Sequence, residues 1–141
     1  MTPKDRAERS AEAMMANDRA SQWIGMVIIA VDEGKAELQL EVAAHHCNGH
    51  GLCHGGITFA LADSAFAFAC NSRNQSTVAQ NNMITFISPA YEGDTLTARA
   101  LEVSLSGRSG IYDVKVTNQN GQPIAEMRGL SRAIAGQLFE E

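Results

Sequence analysis

One segment constrains this chain more than any other. From Ile57 to Cys70 the sequence is almost wholly apolar, with Phe59, Phe66 and Phe68 set among alanines. That length is too short to cross a membrane and reads as a helix buried nearly all round. Such a helix needs an apolar wall on every side, and the rest of the chain supplies mainly strands with which to build one.

Gly25 to Val31 is a short apolar run, and Lys35 to Val42 alternates Ala36, Leu38, Leu40 and Val42 against Lys35, Glu37, Gln39 and Glu41. Two strands joined at Asp32-Glu33-Gly34 are expected. After the helix come strand patterns only, at Val78 to Ile87, Thr95 to Leu105, Ile111 to Thr117 and Ile124 to Ile134, with Asn120-Gly121 marking the last hairpin. Between 95 and 105 the apolar phase switches from Leu96, Ala98 and Ala100 to Leu101, Val103 and Leu105, which predicts a bulge or a change of pairing. Strands on both sides of one helix, without strand and helix in alternation, point to an α+β architecture in which an antiparallel sheet wraps the helix. Residues 3 to 20 carry Ala7, Ala11, Met14 and Met15 among charges, a thin stripe expected of a peripheral helix.

With 141 residues and 45% hydrophobic composition, one domain is expected, running from 21 to 135 between the N-terminal helix of residues 1–20 and an acidic tail of little consequence at 136–141. A formal charge of −5 disfavours nucleic acid and anionic membranes, since both need a cationic footprint. Three cysteines, Cys47, Cys53 and Cys70, cannot all pair within the chain, and Lys4, Asp5, Arg6, Glu8 and Arg9 occupy the place of an apolar signal core. Thiols in the cytoplasm are the expectation.

The loop Asn48-Gly49-His50-Gly51-Leu52-Cys53-His54-Gly55-Gly56 runs straight into the apolar helix. It places the amides of Gly55, Gly56 and Ile57 among the unpaired donors of a helix N-terminus, able to hold a carbonyl oxygen as it becomes an oxyanion. The same glycines could serve only to turn the chain tightly against the sheet. A dinucleotide fingerprint fails, because His54 occupies the place of the third glycine. His45, His46, Cys47, His50, Cys53 and His54 crowd one loop, yet Cys47-x-x-His50-x-x-Cys53 lacks the second knuckle of a zinc site, so no metal is expected. Cys53 and His54, adjacent in a tight loop, make a poor nucleophile and base, and Gly107-Arg108-Ser109-Gly110 lacks the spacing of a nucleophile elbow.

Asp63 lies in the middle of the apolar helix, with Phe59, Ala60, Phe66 and Ala67 at three and four positions on either side. A carboxylate there either works, is satisfied by hydroxyl groups such as those of Thr58 and Ser64, or faces solvent. Gly55 and Asp63 are eight residues apart, about 12 Å along a helix, whereas groups sharing one reacting carbon must come within roughly 3 to 3.5 Å of it. If both work on one carbonyl, a two-fold partner with an antiparallel helix must supply one of them.

These residues resemble the hotdog-fold acyl-CoA thioesterases, and among them the phenylacetic-acid-degradation group. The likeness begins with Asn48, His54-Gly55-Gly56 and Ala62-Asp63. It continues through Ser64 to Asn71, through Phe86-Ile87-Ser88-Pro89-Ala90 with Gly93-Asp94, and into Gly110-Ile111-Tyr112-Asp113-Val114. The resemblance implies a curved sheet around one long helix, side-by-side dimers and often tetramers. It also implies hydrolysis of an acyl-CoA, with phenylacetyl-CoA and its ring-hydroxylated relatives indicated, and no cofactor. The Gly55 amide would polarise the thioester carbonyl, with Asp63 of the partner as nucleophile or general base. Asn48 would orient substrate or water, and His54 would support the site by hydrogen bonding. Gly56, Arg108 and Ser109 would contact the substrate, the arginine at the coenzyme A phosphates. One polar residue among Gln80, Asn81 and Asn82, with Asn82 favoured, would line the site. A hydratase or dehydratase of the same fold and a non-catalytic acyl-CoA-binding module are the alternatives.

Overall fold

The computed structural model describes residues 1–141. Helix α1 (Pro3–Asn17) and the short α2 (Arg19–Ile24) precede the hairpin of β1 (Val27–Asp32) and β2 (Lys35–Glu41). A 3-10 turn at Ala44–His46 leads through the glycine loop into α3 (Gly55–Cys70). Four strands follow: β3 (Thr77–Phe86), β4 (Thr95–Ser106), β5 (Ser109–Thr117) and β6 (Pro123–Ala133). They form one antiparallel six-stranded sheet in the order β1-β2-β4-β5-β6-β3. The sheet curls around α3, giving the hotdog arrangement that the resemblance implies. No helix is long and apolar enough to cross a membrane.

Period-two alternation sets the inner face. Ala36, Leu38 and Leu40 of β2, Leu96, Ala98 and Ala100 of β4, and Tyr112, Val114 and Val116 of β5 are all buried with Leu61, Ala62, Ala65, Phe66 and Ala69 of the helix. Alanines let the helix approach the sheet closely, and the larger rings interlock, with Phe66 and Tyr112 centred 5.6 Å apart. Gly129 of β6 is required by this packing, because a Cβ there would come within 2.8 Å of the Phe66 ring. A bulge lies between Glu102 and Ser104, as the β4 pattern predicts, but Leu101 and Val103 stay exposed on the outer face of the sheet. It leaves Glu102 on the inner face, where it accepts from the Tyr112 hydroxyl at 2.9 Å and pairs with Arg73 at 2.7 Å.

Both chain ends depart from expectation. The N-terminal helix is not one element over 3–20, because Asp18 breaks it and caps a second helix, accepting from the Ser21 amide at 2.9 Å and its hydroxyl at 2.6 Å. The tail after residue 135 is far from inconsequential. Asn74, buried with φ +59°, accepts from the amides of Leu138 and Phe139 and donates to the Phe139 carbonyl at 3.0 Å. Arg6 pairs with Glu141 at 2.8 Å, and Arg9 lies 4.2 Å over the Phe139 ring. The tail therefore ties α1 to the loop after α3. Deleting residues 136–141 should destabilise the fold by about 1–3 kcal/mol, read as a lower urea midpoint, because it strands the buried Asn74 carboxamide.

Candidate active site

Helix α3 begins two residues earlier than its apolar pattern predicts, so Gly55 and Gly56 are its first two residues. His54 is the N-cap. Its Nδ1 accepts the Gly56 amide at 2.8 Å, and its carbonyl takes the amides of Ile57 and Thr58 at 2.9 and 3.2 Å. Three of the four first-turn donors are thus occupied, and the Gly55 N–H alone has no partner in the protein. The expectation of a free amide at Gly56 and Ile57 is corrected by this capping. Gly56 serves the cap instead, since a Cβ there would lie 3.0 Å from the His54 Nδ1.

The Gly55 end of the helix opens on a cavity of about 360 Å³. Asn48, Thr58 and Ser88 are polar residues of its lining, and Leu52, Phe86, Ile87, Pro89 and Ile124 form much of its apolar wall. Phe86 is a site residue that sequence reasoning missed as such. Its ring lies against Gly55, where any Cβ would meet Cζ at 3.2 Å, and only the Phe-x-x-Pro pattern at the strand end hinted at it. Asn48 folds the loop, its Oδ1 accepting from the amides of His50 at 2.9 Å and Leu52 at 3.2 Å.

Asp63 is half-buried and does not line that cavity. Its Oδ1 accepts from Nδ2 of Asn82 at 2.7 Å. Burial raises the carboxyl above the ordinary Asp range, and the Asn82 hydrogen bond works in the opposite direction. Among Gln80, Asn81 and Asn82, the structure thus brings Asn82 to Asp63. The reason is a second bulge, between Ala79 and Asn81, which resets the alternation so that Asn82 pairs with Gly129 on the inner face.

Arg108 and Ser109 belong to neither group. Arg108 is in the exposed turn between β4 and β5, beside a small cavity that includes Cys70, Gly107 and Ser131. Cys70 ends α3, about 22 Å from Gly55 at 1.5 Å per residue. Ser109 Oγ accepts from Arg132 at 3.4 Å. Within one chain, then, the predicted residues form three separate groups: the Gly55 cavity, the Asp63–Asn82 pair and the Arg108 turn.

Among the crowded histidines, His46 and His54 hold backbone in place. His46 is buried, its Nδ1 accepting from the Ala43 amide and its Nε2 donating to the Ile24 carbonyl at 2.7 Å. No three His, Cys, Asp or Glu side chains gather as metal ligands. Burial pushes the Cys53 thiol up and the Cys70 thiol to about 12, so neither has the thiolate character of a nucleophile.

Comparison with known proteins agrees with this geometry. The Thioesterase superfamily profile matches residues 50–125. The acyl-coenzyme A thioesterase PaaI of Escherichia coli is 42% identical over 136 residues, covering 96% of this chain and 97% of that protein. The solved structure of the E. coli PaaI protein from the phenylacetic acid degradation operon superposes with a TM-score of 0.95 at 41% identity, over 96% of this chain and 99% of that one. A mutant structure of the phenylacetic acid degradation protein PaaI from Thermus thermophilus gives a TM-score of 0.80 at 36% identity, covering 83% of this chain and 100% of its own.

Proposed function

The chain belongs to the Thioesterase superfamily and is an acyl-CoA thioesterase, and on that premise we propose that it hydrolyses phenylacetyl-CoA or a ring-hydroxylated phenylacetyl-CoA to the free acid and coenzyme A. The observation that carries the mechanism is the single unpaired N–H of Gly55 beside an apolar cavity. The thioester carbonyl oxygen accepts from that amide, and the aryl group lies against Phe86, Ile87 and Ile124. The partner's Asp63 completes the site. As general base it takes a proton from water, whose oxygen adds to the carbonyl carbon. As nucleophile it adds directly and forms a mixed anhydride that water then cleaves. Either way the tetrahedral oxyanion is held by Gly55, and its collapse breaks the carbon–sulfur bond to release coenzyme A. Asn48 orients the substrate or the water, and His54 keeps the helix end in place.

The dimer is supported by strand β3, which lies at the sheet edge with only β6 beside it. A ten-residue edge carrying exposed Val78, Met83 and Phe86 is a surface that proteins cover or pair. Antiparallel pairing of two β3 strands about a two-fold axis near Ile84 would set Asn82 of one protomer opposite Phe86 of the other, bringing the partner's Asp63 toward the first chain's Gly55. The same operation carries the partner's Arg108 turn past that end of the cavity, where Arg108 and Ser109 meet the coenzyme A phosphates. Pairing of dimers into a tetramer would cover the exposed Leu101, Val103 and Leu130 of the sheet's outside. Three free thiols suit a cytoplasmic enzyme.

A thiol-release assay across phenylacetyl-CoA, short aliphatic and long aliphatic acyl-CoAs tests the reading. Free thiol should appear fastest from the aryl substrate. Binding without thiol would leave an acyl-CoA sensor, and water addition to an enoyl-CoA would leave a hydratase.

A further inference from the structure

Asn82 combines two properties that a purely structural residue would not. Its Nδ2 donates to Asp63 at 2.7 Å, while its own Oδ1 is sealed from solvent and has no hydrogen-bond partner. A sealed, unpaired amide oxygen is a net cost to folding, so the fold gains less from this carboxamide than from an apolar side chain of its shape. The strand spends a bulge to aim it inward, and Gly129, its cross-strand neighbour, is vacated for the Phe66 ring one turn along the helix from Asp63.

We propose that Asn82 is a positioning residue that holds one oxygen of Asp63 in place and so presents the other to the reacting water or carbonyl carbon. The inference rests on Asp63 being the working carboxylate. A neutral donor suits that task. An arginine or lysine at position 82 would fix the carboxylate equally well but would strip it of basicity, whereas an amide N–H restrains it and leaves it basic. Within its own chain no charged group bears on Asp63: from β3 it meets Asn82, and along α3 its charge reaches only the Cys70 thiol, which stays protonated. Within the chain the carboxamide is therefore the polar contact that directs this carboxylate and that offsets part of the effect of burial on its ionisation.

The test compares Asn82→Leu and Asn82→Ser with the unsubstituted protein, reading the pH dependence of kcat and the carboxyl ¹³C titration of Asp63. With leucine the acid limb of kcat and the Asp63 titration should both move up by about one pH unit, because the carboxylate keeps its burial and loses its donor. Turnover on the acid limb should fall by up to about tenfold with KM within about twofold, and the loss should disappear above the limb. Below the acid limb, where Asp63 is protonated, the melting temperature should not fall, since the sealed oxygen leaves together with the donor. Serine, which keeps a hydroxyl donor, should shift the limb less, and it carries the test if the leucine variant does not fold. An Asp63 titration that stays put or moves down overturns the clamp, as does an equal loss of turnover at every pH. Failure of the underlying reading looks different: Asp63→Asn would then keep its turnover, while the Asn82 variants would still move the Asp63 titration.

Discussion

Asp63→Asn should abolish most thioester hydrolysis while leaving the fold and acyl-CoA binding intact. The carboxamide is isosteric with the carboxylate, and its oxygen can accept the same Asn82 hydrogen bond that Oδ1 accepts at 2.7 Å. What it loses is the capacity to take a proton or attack a carbonyl, a loss on the order of 10²–10⁴ in kcat. The same substitution should make the protein more stable above the acid range. Burial raises the Asp63 carboxyl in the folded state, so the native chain binds its proton more tightly than the unfolded one. Stability from this group is then present at low pH and is lost as pH rises from the ordinary Asp value through the raised one. The carboxamide of the variant carries no such dependence, so the difference in melting temperature between the two proteins should widen over that interval and then level off. Stability gained where activity is lost is the mark of a residue retained for its chemistry. Turnover at the unsubstituted rate would move the chemistry away from α3.

Much of this molecule was legible in the sequence because its strongest signals are local. The apolar run of α3 and the alternation of β2 each follow from the period of one element against one core. The failures are contacts between distant or atypical partners. Asp18 ends α1 by turning its carboxylate to Ser21, a choice the thin apolar stripe around it does not reveal. Asn74 holds the tail across a separation of more than sixty residues, with nothing in the tail's composition to announce it. Three adjacent polar residues at 80 to 82 could not be sorted by alternation, because the bulge after Ala79 resets it and faces Asn82 inward. The N-terminus of α3 misled for a different reason. Histidine is not among the usual N-cap residues, so the pairing of the Gly56 amide with His54 was not foreseen, and it narrows the oxyanion donors to Gly55. The reach argument, by contrast, needed only helix geometry, and the separation of Asp63 from the Gly55 cavity in one chain agrees with it.

Two inactive variants should restore each other when mixed. Gly55→Pro removes the one unpaired N–H and little else. Proline is tolerated at the first position of a helix, and His54 already has the extended ψ of 133° that a residue before proline requires. The new ring must displace the flexible Phe86 side chain by a few tenths of an ångström, since a Cβ there lies 3.2 Å from it. Alone, this variant should lose about 10²–10³ in kcat, the measure of one oxyanion donor. Asp63→Asn alone lacks the carboxylate. If each site takes Gly55 from one protomer and Asp63 from the other, a mixed dimer contains one site with both groups intact and one with neither. Co-refolding equal amounts makes about half of the dimers mixed, so activity should return to about one quarter of the unsubstituted level. Sites completed within a single chain would give no recovery at any mixing ratio. Physical mixing without unfolding separates exchange of subunits from contamination, because recovery should then appear only as fast as the dimers dissociate. A recovered quarter would locate the two halves of the reaction centre on different chains and would make dimerisation through β3 a condition of catalysis.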